Sequence, residues 1–225
     1  MAKKARVYDG TAWQELASAQ TDLTAYSTTA QMNTAITNAG AIVPIIPTSV
    51  AVGSGSGSFN ATTGNVTFTG ATSISVNGVF SATYNRYIIV YNAGVTTTTS
   101  THSFRFRTSG TDNTTSNYST TMARSTSNGT FQQITTSEST DKVIDIADSI
   151  TSNGDYQSLH KLEIVNPFQS FVTNGIIDFT VVNNITTKIQ RRFGAFLFGG
   201  TTSFDGFSII SGQGLTGTLK VMAYV

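Results

Sequence analysis

The residue types that usually carry chemistry are sparse in this chain. Its only histidines are His102 and His160. The first sits in a Thr/Ser tract, the second beside Lys161, and neither has a metal-ligand spacing to another histidine. Both read as ordinary strand or surface histidines. With no cysteine, thiolate zinc sites, Cys nucleophiles and disulfides are excluded. No G-x-S-x-G elbow and no phosphate-binding P-loop occurs. The densest carboxylate run is Asp141, Asp145 and Asp148, followed by Asp155. Two carboxyls about 5–9 Å apart across a cleft would suit glycoside hydrolysis, and several oxygen donors would suit a hard cation such as calcium. The simpler reading is a solvated strand with acidic edges. The expectation is therefore no catalytic residue, no cofactor and no assigned metal, with Asp141, Asp145 and Asp148 as the only candidate cation ligands. Six Asn-x-Ser/Thr triplets, at Asn60, Asn65, Asn113, Asn117, Asn128 and Asn184, follow from a composition rich in Asn and Thr.

Composition then bounds what must hold these residues. Of 225 positions, 39 are Thr and 25 are Ser, while charged residues are only 11%. Apolar residues make up 39%, with 14 Phe, so the chain can bury a core. A net charge of +1 gives no basic footprint for phosphates, which argues against nucleic-acid binding. The longest apolar stretch, Ala41–Ile46, is short and contains Pro44, so no membrane insertion is expected. Met1–Arg6 is basic, but no apolar run of signal-peptide length follows it.

Four segments are expected. Residues 1–18 read as an N-terminal β-hairpin about an Asp9-Gly10 turn, with Tyr8 opposite Thr11 and Arg6 opposite Trp13. An isolated hairpin is marginal in water, so one carrying the sole Trp is expected to dock on something, through Arg6, Val7, Tyr8, Trp13 and Leu16. Residues 19–40 hold the one short helix. Thr28 is a candidate N-cap with Gln31 three residues on, Gly40 stops it, and Thr29, Met32, Ile36 and Ala39 form an a/d seam. That seam suits a short oligomeric neck or a face packed on the same chain. Residues 41–58 read as a linker whose apolar first half packs on something and whose Gly/Ser second half is exposed.

Residues 59–225 read as strand, turn, strand. Alternation or β-branched runs mark Val66–Phe68, a hairpin about Asn77-Gly78, Tyr87–Tyr91, Ser103–Arg107, Val143–Ile146, Leu159–Val165, Ile176–Val182, Phe193–Phe198, Phe207–Ile210 and Leu215–Val225. The stretch from Thr108 to Asn128 is mostly polar and reads as a surface excursion. The fold class expected is mainly β: an antiparallel β-sandwich, jelly-roll-like, with the N-terminal hairpin and the short helix.

Two stretches then point to a family. Lys4-Ala5-Arg6-Val7-Tyr8-Asp9-Gly10-Thr11-Ala12-Trp13-Gln14-Glu15-Leu16-Ala17-Ser18 resembles the "YDGTxWxxLA" opening of tail and fibre proteins of tailed bacteriophages. Phe204-Asp205-Gly206-Phe207-Ser208-Ile209-Ile210 and Thr216-Gly217-Thr218-Leu219-Lys220-Val221-Met222-Ala223-Tyr224 resemble the "DGFTI…GTIxVYGY" ending of phage virion proteins, with Ala223 where Gly is usual. Phe104–Arg107, Ser109–Asn113 and Asn166-Pro167 resemble that family's middle segments. The resemblance implies a virion structural protein, assembled in the host bacterial cytoplasm. The resemblance does not place the chain on the virion; the expectation is a tail fibre or tail tip, trimeric through the neck and joined to other virion proteins by its N-terminus. Its partner outside the particle would be a host surface glycan or envelope protein, met through loops with Tyr118, Arg124 and Phe131. A capsid-decorating head fibre shares these features, and a capsule-degrading enzyme would draw only on Asp141–Asp155.

Overall fold

The computed structural model describes residues 6–8, 10–11, 13–15, 42–95, 100–125, 131–141, 144–150, 158–183 and 188–225. The chain divides into two compact units, Met1–Ala41 with Val225, and Ile42–Tyr224. Among the described residues every regular element is a β-strand, every strand pair is antiparallel, and no helix occurs. The expected helix, with Thr29, Met32, Ile36 and Ala39, lies outside the described residues.

In the first unit β1 (Arg6–Tyr8) pairs with β2 (Trp13–Glu15). The register is Tyr8 opposite Trp13 and Arg6 opposite Glu15, two residues away from the two-residue turn expected from Asp9-Gly10. Gly10, between the two strands, has φ +96°. A two-residue slip preserves parity, so the same residues still share a face of the ribbon. Leu16 lies outside the described residues.

The second unit is one antiparallel sheet of fourteen strands. Its spine is a long strand near the C-terminus, β16 (Gly206–Tyr224), lying beside β6 (Val66–Asn77). Along its first half β16 has β8 (Ser100–Thr108) on its other side, and along its second half β7 (Arg86–Val95). Register shifts between Ile210 and Gly217 mark where it changes course. Two branches result. From β7 the sheet continues through β13 (Ser158–Val165), β14 (Thr173–Asn183), β15 (Lys188–Phe198), β10 (Tyr118–Ser125) and β11 (Phe131–Asp141). From β8 it continues to β12 (Ile144–Ile150) and the short β9 (Thr111–Asp112). The strands expected at Phe207–Ile210 and Leu215–Val225 are thus one strand.

The stretch read as a linker is part of this sheet. β3 (Ile42–Ile45) pairs with the end of β16, while β4 (Ser49–Val52) and β5 (Ser56–Phe59) pair with β6. Val43, Ile45, Val50 and Val52 pack on the core, and Gly53 N donates to Ser73 O at 3.0 Å. Glycine and serine make a poor core but still supply backbone donors and acceptors to a neighbouring strand. Nor do Asn77-Gly78 close a hairpin: the chain leaves β6 there, and the N–H groups of Val79 and Phe80 donate to Asp205 O at 2.8 and 3.1 Å.

Alternation places the core as expected. Val66, Phe68, Ile74 and Val76 of β6 and Leu215, Leu219, Val221 and Ala223 of β16 are buried. On β8, Phe104 and Phe106 are buried, while Arg105 and Arg107 on the other parity are partly exposed. Phe104 stacks on Phe207 at 5.2 Å and Phe106 on Phe204 at 4.6 Å. Both also approach Phe196, at 6.4 and 6.3 Å, so side chains of the two branches meet. Each fully buried Phe is worth roughly 1.5–3 kcal/mol, and such rings are the main source of stability in a chain without disulfides.

Candidate functional site

The structure does not assemble the three expected host-binding residues into an exposed loop. Tyr118 opens β10 on its inward parity and is 0% exposed. Its Oη accepts from Phe106 N at 3.2 Å and donates to Asn113 O at 3.1 Å. Its ring stacks on Phe106 at 6.2 Å and meets Phe198 edge-on at 4.9 Å. Burial raises its phenol pKa, so this is a neutral structural hydroxyl. The reading of 108–128 as a polar excursion is corrected with it: Tyr118, Thr120 and Met122 alternate into the interior. Arg124 is half-buried on β10, opposite Gln132 and Arg192. Phe131 starts β11, and its side chain lies outside the described residues.

The candidate carboxylates fall on two strands. Asp141 ends β11 opposite Tyr118, Asp145 pairs with Ser103 across β12 and β8, and Asp148 lies further along β12. Their side chains lie outside the described residues. Among the described residues no group of three or more His, Asp or Glu could hold a metal ion.

The two histidines are the largest departure from the sequence reading. Both are fully buried, His102 on β8 and His160 on β13, with ring centroids 5.5 Å apart. Tyr91 of β7 stacks on His160 at 4.1 Å, and its Oη lies 3.1 Å from His102 Nδ1. Phe179 of β14 covers the other side of His160 at 5.1 Å. Ser158 Oγ donates to Ala93 O at 2.9 Å, so it accepts from His160 Nε2–H at 2.6 Å, which sets that tautomer. Burial lowers the His102 pKa to about 3 and pushes the Tyr91 phenol well above its usual range. The cluster is a polar element of the core. The signal was present in the alternation: His102 shares parity with Phe104 and Phe106, and His160 with Leu162 and Ile164.

The Phe204–Phe207 motif has a structural task. Asp205 Oδ2 accepts from Ser109 N at 2.9 Å, while its backbone joins Val79 and Phe80 to Arg107. A Cβ at Gly206 would lie 2.3 Å from Val76 O, so only glycine lets the strands meet there. Beside it, Arg107 donates to Asn77 Oδ1, Ser75 Oγ and Ser208 Oγ at 2.8–3.0 Å and pairs with Asp112.

The outward surface carries exposed apolar side chains. On β13, β14 and β15 the outward parity exposes Leu159, Ile176, Phe193 and Leu197. Ion pairs lie across these strands: Arg191 with Asp178 through two bonds of 2.9 and 2.6 Å, and Glu163 with both Arg86 and Lys161. Arg86 also lies 4.3 Å over the Tyr224 ring. The Asp178 carboxyl is held below its usual pKa, chiefly by the hydrogen bonds from Arg191. An open cavity of about 370 Å³ is lined by Thr121, Met122, Ala123, Gln133, Phe193 and Gly194.

No family model matches the chain, and no curated protein matches it. Among solved structures, the CBM2 module of Lactobacillus casei BL23 phage J-1 evolved Dit aligns with 79% of this chain and 91% of its own. Its sequence identity is 9% and its TM-score 0.27. The endo-1,3-beta-glucanase from Streptomyces sioyaensis aligns with 75% of this chain and 83% of its own, at 10% identity and a TM-score of 0.17. At these scores neither likeness bears on what this chain does.

Proposed function

We propose that this chain is a structural protein of a bacteriophage virion, a tail fibre or tail-tip protein that binds the host cell surface. The observation that carries the reading is at the N-terminus. The stretch resembling the opening of phage tail proteins forms a minimal hairpin, β1–β2, in a unit separate from Ile42–Tyr224. A hairpin of three-residue strands is marginal alone in water. In this reading it docks on another virion protein through Arg6, Val7, Tyr8, Trp13 and Leu16. Residues 29–39 make the neck of a homotrimer. The second unit is a jelly-roll-like sandwich whose two layers are the β8 and the β7–β13–β14–β15 branches, a reading supported by the ring contacts of Phe104 and Phe106 with Phe196. It acts as a binder without catalysis, cofactor or metal.

The test is incorporation. Residues 1–40 fused to a fluorescent protein, supplied during phage growth, are expected to label purified virions, and full-length protein lacking residues 1–18 to stay off them. Unlabelled virions would overturn the reading. Copy number per particle separates the placements, since a tail tip requires few copies and a capsid decoration tens to hundreds.

A further inference from the structure

We infer that one rim of the second unit, formed by segments 113–119, 166–174 and 197–204, is a binding site for a neutral sugar. These segments are contiguous: Gly199 N donates to Asn117 O at 2.8 Å, Phe204 N to Pro167 O at 2.8 Å, and Thr173 pairs with Phe198 across β14 and β15. Three properties define the ligand. The first is an aromatic platform. Phe171 is 63% exposed, the highest value among the exposed large apolar side chains described, with Val172 and Leu197 exposed near it in sequence and register. A large apolar side chain held in water on a well-tied loop is informative, unlike a scattered surface apolar residue.

The second property is rigidity. The loop bearing Phe171 is fastened at both ends. Asn166, at φ +58°, donates its N–H to Asn85 O at 2.7 Å and accepts from Gln169 N at 3.3 Å and Thr173 Oγ1 at 3.3 Å. Pro167 is buried and Phe168 packs on the core. Such a loop backbone is ordered before binding, which lowers the cost of presenting the ring.

The third property is the absence of charge. Not one Asp, Glu, Lys, Arg or His occurs in the three segments, whereas Asn, Gln, Ser and Thr recur in all of them or at their borders. Asn117 and Asn174 are exposed amides beside the apolar group. A charged ligand would lose solvation here without meeting a counter-charge. A protein partner would need about 800 Å² of complementary surface on its side, far more than three exposed apolar side chains supply. A neutral sugar ring matches what is present: one apolar C–H face for the aromatic ring, and hydroxyls for paired amide and hydroxyl groups. The inference deepens the host-binding proposal and rests on it for the source of the glycan. The residues it assigns replace Tyr118, which is buried.

The experiment uses the full chain on an array of neutral oligosaccharides of glucose, galactose, rhamnose and N-acetylglucosamine, with sialylated and phosphorylated glycans beside them. Expected is binding to at least one neutral glycan, unchanged between low and high salt. Phe171→Ala should weaken it roughly tenfold or more, and Phe171→Trp retain it, with melting temperatures like the parent's. Binding only to anionic glycans, binding that falls with salt, no binding to any neutral glycan, or full binding by Phe171→Ala would each overturn the site. Adsorption to host cells separates the two proposals: equal adsorption by the parent and Phe171→Ala keeps host binding and removes this site, while no adsorption by the parent removes host binding itself.

Discussion

The buried His102 makes acid sensitivity calculable. In the unfolded chain its imidazole protonates near its ordinary pKa of 6.5, and in the fold burial lowers that to about 3. Between these values the unfolded state binds a proton that the folded state refuses. Stability is therefore complete above pH 6.5, falls as pH drops through the window, and levels off below about 3. At about 1.4 kcal/mol per pH unit, the loss reaches about 2 kcal/mol at pH 5, with a ceiling of about 5 kcal/mol. Carboxylates add their own dependence lower down, so the interval from pH 7.5 to 5 is the clean one. The assay is urea unfolding across that interval, for the parent and for His102→Phe. The variant strands the Tyr91 hydroxyl, which lies 3.1 Å from His102 Nδ1, at a cost of about 1–3 kcal/mol. That cost is the same at both pH values and cancels in the comparison. Expected is a pH-dependent loss about 2 kcal/mol smaller in the variant than in the parent. Equal losses in the two proteins would refute the argument, because the other buried histidine is present in both.

Val221, 0% exposed and paired with Ile89 on β7 and Ile45 on β3, gives the second expectation: Val221→Asp should cost about 3–5 kcal/mol through an unpaired buried charge, read by denaturant unfolding. Tyr118→Phe removes the hydroxyl between Phe106 N and Asn113 O; it should cost about 1–3 kcal/mol and leave host-cell adsorption per folded molecule unchanged. Met32→Asp tests the trimeric neck, and light scattering should show trimers becoming monomers; a monomeric parent at micromolar concentration would remove the neck.

How far the sequence could be read follows from which forces act locally. Parity is local, so alternation placed Phe104 and Phe106 inward and marked Val221 and Ala223 as core. The same parity holds for His102, His160 and Tyr118, yet their polar atoms made the surface look natural for them. Their hydrogen-bond partners are set by the fold: Tyr91 for His102, Ser158 together with the Ala93 carbonyl for His160, and Phe106 with Asn113 for Tyr118. Strand pairing is set by the fold in the same way. Gly53–Ser58 has a linker's composition and becomes a sheet edge because β6 offers it unpaired backbone groups. Phe171 carries no pattern of its own in the sequence, and Phe168, three residues earlier, packs on the core. The backbone turned at Asn166 leaves Phe171 in water. In a chain this rich in Ser, Thr and Asn, composition cannot separate a scaffold loop from a recognising one. The 63% exposure of Phe171 is information that only the fold supplies.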